Sequence, residues 1–164
     1  MNIEVMEVKI ELKKATSSDA NELHDIQVKS FMPLLKKYQD FDTNPANEDI
    51  ERIIIRINHH NGGFYQILCD DKLIGAIRVL CKDETTCFSI SPMFILPEYQ
   101  GRGIAQTAMK LAEEMYPQAT SWELRTILEE ERNCYLYEKM GYVKTGESKT
   151  LNERTTLISY KKAL

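Results

Sequence analysis

Ile95-Leu96-Pro97-Glu98-Tyr99-Gln100-Gly101-Arg102-Gly103-Ile104-Ala105, continuing as Gln106-Thr107-Ala108-Met109-Lys110-Leu111-Ala112-Glu113-Glu114-Met115, is the stretch around which the rest of the chain is organised. An apolar run ends at Pro97 and a turn with two glycines follows. Beyond it Ile104, Ala108, Leu111, Ala112 and Met115 fall at the i, i+4, i+7, i+8, i+11 spacing of one buried helix face. A strand, a glycine turn and a helix in this order leave unpaired backbone N–H groups at a helix N-terminus, where an anion binds. Gly101 and Gly103 permit close approach and positive φ, and Arg102 adds a positive side chain to the same turn. The turn does not end in Gly-Lys-Ser/Thr, which argues against a nucleoside triphosphate loop. It also lacks a full G-x-G-x-x-G, which argues against a dinucleotide fold. The plain alternative is an ordinary strand–turn–helix connection.

Upstream, Phe64 to Cys69 and Leu73 to Cys81 read as two strands joined by a turn at Asp70-Asp71-Lys72, with Gly75 at a bulge. Lys82-Asp83-Glu84-Thr85 turns again, and Thr86 to Ile95 forms the next strand. Pro92 removes a ladder donor from that strand, which predicts a bulge or splay nearby. At the N-terminus, Val5 to Leu12 alternates as a half-buried strand. Thr16-Ser17-Ser18-Asp19 then signals a helix start. That helix is expected to stop near Phe31 because of Pro33, with a second short helical piece from Leu34 to Tyr38. Gln39 to Asn47 reads as a loop, with Asn47 as N-cap of a helix from Glu48 to about Asn58, closed by Asn61-Gly62-Gly63. Downstream, Pro117 stops the central helix. A short strand from Ser121 to Ile127 follows, then a helix from about Glu131 to Met140 capped by Gly141. Tyr142 to Ser148 and Thr155 to Lys161 are the last two strands.

The chain has 164 residues, 43% hydrophobic and 28% charged, with a net charge of −4. That composition suits one domain with a full core, here residues 1–164. No lysine- or arginine-rich run is present, which argues against nucleic acid as a partner. No segment has the length and apolarity of a membrane span. Met1 to Val5 carries an acidic residue and no apolar signal region, which predicts a cytoplasmic protein. Cys69, Cys81, Cys87 and Cys134 form no Cys-x-x-Cys pair, so all four read as free thiols and no metal is expected.

Two motifs carry a family resemblance. Gln100, Gly103 and Ala105 spell Gln-x-x-Gly-x-Ala, which resembles the acyl-CoA pyrophosphate loop of the GNAT superfamily of N-acetyltransferases. Leu136-Tyr137-Glu138-Lys139-Met140-Gly141-Tyr142 resembles that family's L-Y-E-K-x-G-F/Y signature. The element order matches as well. The resemblance implies an α+β fold: a central, mostly antiparallel twisted sheet, splayed between its fourth and fifth strands and flanked by helices. It also implies transfer of an acetyl group from acetyl-CoA to a primary amine by direct attack in a ternary complex.

Carried over residue by residue, the resemblance assigns the diphosphate to the backbone N–H groups of Gly101 to Ala105, Ile104 included, with side-chain help from Gln100 and Arg102. Phe94, Ile95 and Leu96 offer a strand edge to the pantetheine arm. The Ile95 N–H is the oxyanion donor, and Tyr137 gives a hydrogen bond to the departing thiolate. Full proton transfer from a tyrosine of pKa about 10 to a thiolate of about 8.5 is uphill by about 2 kcal/mol, so donation without transfer suffices. Holding an alkylamine neutral at pH 7 costs about 4.6 kcal/mol, so a base is wanted; Glu98 and Glu123 are candidates, directly or through water. Many members have an asparagine where this chain has Glu130, and Asn133 is the nearest amide, a candidate either for the coenzyme or for capping its helix. Phe31 and Tyr38 are candidates for an apolar acceptor pocket, with core packing as their alternative. The acceptor stays open between a small-molecule amine and a protein N-terminus or lysine, and an inactive acyl-CoA sensor is a further alternative. Oligomeric state stays open, a homodimer included.

Overall fold

A computed structural model describes residues 8–82 and 85–164. In chain order the elements are β1 (Ile10–Lys14), α1 (Ala20–Tyr38), α2 (Ile50–Ile57), β2 (Gly62–Cys69), β3 (Lys72–Cys81), β4 (Cys87–Ile95), α3 (Ile104–Glu114), β5 (Ser121–Ile127), α4 (Glu131–Lys139), β6 (Val143–Thr150) and β7 (Thr156–Ala163). The strands form one sheet in the order β1-β2-β3-β4-β5-β7-β6. Each neighbouring pair is antiparallel except β4 and β5, which run parallel. This is the mixed α+β fold expected above.

Strand alternation sorts the apolar residues into two cores. Ile77, Val79, Phe88 and Ile90 pack with Ile104, Ala108 and Met109 of α3 and with Trp122 and Leu124. Phe64, Ala76 and Phe94 point the other way, onto Leu23 and Ile26 of α1 and Ile53 and Ile57 of α2. The middle of the sheet is therefore buried on both faces, and α1 lies across β3 and β4.

Several boundaries differ from the sequence expectation. The first strand runs Ile10–Lys14, and the residues before Val8 on which its start was placed lie outside the described residues, as do Asp83 and Glu84 of the turn after β3. Helix α1 continues through Pro33 to Tyr38 as one piece. Proline removes one helical hydrogen bond, but Leu35 and Tyr38 beyond it are buried and hold the last turn down. Gln39, at φ 55°, then ends the helix. Helix α2 takes Asp49 as its N-cap, while Asn47 closes a short 3-10 turn begun by Asn44, whose side chain accepts from the Ala46 N–H at 2.8 Å.

Two features of the sheet position the site. The β2–β3 register slips between Ile67 and Leu68, leaving Ile74 without a partner beside Gly75. A Cβ on Gly75 would sit 2.1 Å from the Phe94 carbonyl oxygen and 3.0 Å from the Ile95 Cα, so only glycine lets β4 approach this closely. On its other side β4 pairs with β5 over four residues only, Cys87–Ile90 against Ser121–Leu124. Beyond Ile90 the two strands separate.

The last turn of α1 is tied to the C-terminal half. The Tyr38 hydroxyl donates to Glu130 Oε1 at 2.5 Å, Asn152 Nδ2 donates to the Tyr38 carbonyl at 3.0 Å, and Arg154 Nη1 donates to the Lys37 carbonyl at 3.2 Å.

Candidate active site

The open strand edge follows from backbone alternation. The Leu96 N–H donates to the Ile74 carbonyl of β3 at 2.8 Å. Successive residues of a strand point their polar groups to opposite sides, so the Ile95 N–H and C=O point away from β3, into the gap left by β5. The Ile95 carbonyl is satisfied there by Gln100 Nε2 at 2.9 Å. By that alternation the Ile95 N–H has no ladder partner in β3, and β5 pairs no further than Ile90; the residue is 6% exposed. A buried donor without a ladder partner is costly, and it faces a cavity.

The glycine turn closes that cavity at one end. Gly101 and Gly103 have φ of 75° and 78°. Gly103 is the N-cap of α3, and the first helical bond there is from the Thr107 N–H to the Gly103 carbonyl at 3.2 Å. The N–H groups ahead of Thr107 therefore lack helical acceptors and carry the positive end of the helix dipole. A Cβ on Gly103 would meet nothing within 4 Å, so open space lies in front of those groups. The charge over the turn comes from α4: a Cβ on Gly101 would lie 3.0 Å from Arg132 Nη2. Arg102 instead lies over the Tyr99 ring, 5.5 Å from its centroid, and lines a neighbouring hollow with Cys69 and Lys72.

The cavity between these parts holds about 280 Å³. Its walls are Met93, Phe94 and Ile95 of β4, the turn from Gln100 to Ala105 without Arg102, Phe31 and Leu34 of α1, and Glu130, Arg132, Asn133, Leu136 and Tyr137 from the start of α4. The Tyr137 ring packs 6.0 Å from Tyr160 and 6.3 Å from Tyr142. Burial, and secondarily the Cys134 thiol, pushes its hydroxyl up to about 12. It therefore stays protonated, a hydrogen-bond donor, at any ordinary pH.

A backbone cradle, an open strand edge and a tyrosine donor thus face one space. The acetyltransferase (GNAT) family model matches residues 21–142, which span the strand edge, the glycine turn and Tyr137. The chain belongs to the GNAT acetyltransferase family. It is 29% identical over 138 residues to the uncharacterized protein YrkN of Bacillus subtilis (strain 168), covering 83% of this chain and 74% of that one. Among solved structures it resembles an acetyltransferase from Thermus thermophilus, with TM-score 0.74, 14% identity and coverage of 95% and 97%. It also resembles the PaiA N-acetyltransferase of Thermoplasma acidophilum in complex with coenzyme A, with TM-score 0.73, 16% identity and coverage of 95% and 99%.

In GNAT terms, the structure gathers Phe31, Phe94, Ile95, Gln100, Gly101, Gly103, Ile104, Ala105, Asn133 and Tyr137 around one cavity. Leu96 is buried behind the edge, in the core under α1. Glu98 is exposed outside the cavity, and Glu123 pairs with Lys82 at the far end of β5. Tyr38 is buried behind the cavity wall and reaches it only through Glu130. Arg132 was missed from sequence because no motif marks it; only the crossing of α4 over the turn brings it there. If Arg132 grips the diphosphate, Arg132→Ala should weaken coenzyme A binding about tenfold, the loss of one exposed charge-assisted contact. Arg102→Ala should change it less. Calorimetric titration of both variants with coenzyme A checks this, and the reverse order would return the role to Arg102.

Proposed function

We propose that this GNAT protein transfers an acetyl group from acetyl-CoA to the primary amine of a small molecule. The observation that carries the reading is the Ile95 N–H left without a ladder partner at the edge that β5 abandons, in the same cavity as the glycine turn. Residues fit the cosubstrate along its length: the turn and Arg132 would hold the diphosphate, and the free edge of β4 would pair with the pantetheine amides as an added strand does. The acceptor nitrogen attacks the thioester carbonyl, forming a C–N bond. The Ile95 N–H stabilises the charge that develops on the carbonyl oxygen. The C–S bond then breaks, the amine proton passes to solvent, and the Tyr137 hydroxyl donates to the thiolate.

Full transfer from a hydroxyl near 12 to a thiolate near 8.5 is uphill by about 5 kcal/mol, which makes Tyr137 a donor only. Tyr137→Phe is accordingly expected to lower kcat by about 10- to 100-fold while leaving coenzyme A affinity unchanged. Its pH profile should keep the wild-type shape, because donation is lost only as pH rises through about 12. Unchanged kcat would remove Tyr137 from the chemistry. A small acceptor is favoured over a docked peptide because α1 runs unbroken over the site and its last turn is tied down. A thiol-release assay with acetyl-CoA against small amines, amino acids and peptides tests the whole reading. Turnover with peptides alone, or coenzyme A binding with no turnover, would overturn it.

A further inference from the structure

The Tyr137 hydroxyl is useful only in the direction its ring gives it, and packing sets that direction. Helix α4 stops in a reversal at Gly141, whose φ is 96°. The Gly141 N–H donates to the Glu138 carbonyl at 3.1 Å, and the Tyr142 N–H donates to the Tyr137 carbonyl at 3.0 Å. This pair of bonds is the left-handed helix stop that folds the second residue beyond it back onto the last turn. Here it lays Tyr142 against Tyr137, with the ring planes at 67° and the centroids 6.3 Å apart, an edge-to-face contact.

Tyr142 is 2% exposed, and its hydroxyl is fixed from another element. It donates to Glu113 Oε1, in the last turn of α3, at 3.0 Å. Burial, and after it the Glu113 carboxylate, pushes that hydroxyl up, so it stays a donor. Glu113 is held in turn by Lys162 of β7, whose Nζ donates to Oε1 at 3.3 Å and to Oε2 at 3.0 Å. The same ammonium lies 5.6 Å from the centre of the Tyr142 ring. The Glu113 and Lys162 side chains are 17% and 21% exposed, so salt screens the pair little. The aromatic contact alone would be met by phenylalanine at position 142. The hydroxyl and its carboxylate add a second constraint on the ring.

We propose that Glu113 is a positioning residue for the transfer: by fixing the Tyr142 hydroxyl it fixes the surface against which Tyr137 packs, and so aims the Tyr137 hydroxyl at the departing sulfur. Glu113 sits on the helix whose other end forms the diphosphate cradle, so one element would both hold the cosubstrate and set its donor. This inference rests on the role given to Tyr137 in the transferase reading above.

The test is a set of single and double variants in steady-state kinetics at saturating amine. Glu113→Ala and Tyr142→Phe should each lower kcat by about three- to tenfold, within the loss expected of Tyr137→Phe, because a misaimed donor forfeits no more than the donor supplies. KM for acetyl-CoA should stay unchanged. Glu113→Gln, whose amide oxygen still accepts from Tyr142, should recover most of kcat. In the Tyr137→Phe background, Glu113→Ala should cost nothing further, because no hydroxyl is left to aim. Tyr142→Phe loses only the hydroxyl, and in the same background it carries the test if Glu113→Ala does not fold. A loss repeated in full without the Tyr137 hydroxyl, or Glu113→Gln as slow as Glu113→Ala, overturns the assignment and leaves the Glu113–Lys162 pair as a brace between α3 and β7. Wild-type kcat in Tyr137→Phe instead sinks the donor role in the reading above. NMR of ring-labelled tyrosine in the coenzyme A complex needs no turnover, with the Tyr137 signal assigned by its loss in Tyr137→Phe. That ring should flip faster in Glu113→Ala than in wild type. Faster flipping in a protein that acetylates no amine sinks the transferase reading and keeps the link from Glu113 to Tyr137; unchanged flipping sinks the link.

Discussion

Gly103→Val should cut coenzyme A affinity by at least about a hundredfold. Two effects add. The valine side chain would occupy the open space in front of the α3 N-terminus, where a Cβ now meets nothing within 4 Å. A φ of 78° also forces a β-branched residue into the left-handed region, at a cost of about 1–2 kcal/mol. Relief of that strain would turn the N–H groups away from the cradle. Losing two charge-assisted hydrogen bonds, at about 1.5–3 kcal/mol each, already exceeds a hundredfold. Because a Cβ there meets nothing within 4 Å, the fold should survive with only the strain expressed in its melting temperature. Titration calorimetry with coenzyme A, beside a thermal melt, checks both parts. A folded variant with wild-type affinity would show that the diphosphate is held elsewhere.

The second large effect is expected far from any reacting atom. Gly75→Ala puts a Cβ 2.1 Å from the Phe94 carbonyl oxygen. The obstacle is backbone, so β4 must move away from β3 near Phe94 and Ile95. Overpacking of this kind costs about 1–3 kcal/mol. In the proposed reaction the same displacement moves the Ile95 N–H relative to the acetyl oxygen, and about 1 Å of misplacement costs about a hundredfold in rate. Turnover should therefore fall by at least about a hundredfold in protein that still folds and still binds coenzyme A through the turn. Chemical denaturation and steady-state kinetics on one preparation separate the two losses. Full turnover in a variant destabilised as expected would mean that the β4 edge does not orient the reaction.

How much of this was legible beforehand depends on the range of the forces involved. The glycine turn and the Leu136 to Tyr142 motif are local patterns, and both fall at the helix ends where the sequence placed them; the turn apart from Arg102, with Leu136 and Tyr137, lines one cavity. The interruption expected at Pro33 did not occur, because a proline's local penalty was outweighed by burial of Leu35 and Tyr38 and by bonds from Asn152 and Arg154 more than a hundred positions away. Gly75 could be read as a bulge, but not as the residue against which β4 is set, since that needs the partner strand's position. Glu130 was visible as a departure from the family's asparagine, yet its bond to Tyr38 spans 92 positions and leaves no trace in spacing. Arg132 is silent for the same reason.

The parting of β4 from β5 also constrains how anything enters. The sheet resembles a pair of shears whose pivot is the short parallel ladder from Cys87 to Ile90, with the clasp between the end of α1 and residues Glu130, Asn152 and Arg154 fastened across the blades. Shears pinned at the pivot and tied across the blades cannot gape. A ligand that reaches the Ile95 edge therefore has to enter through a broad face of the slot, without the blades swinging apart.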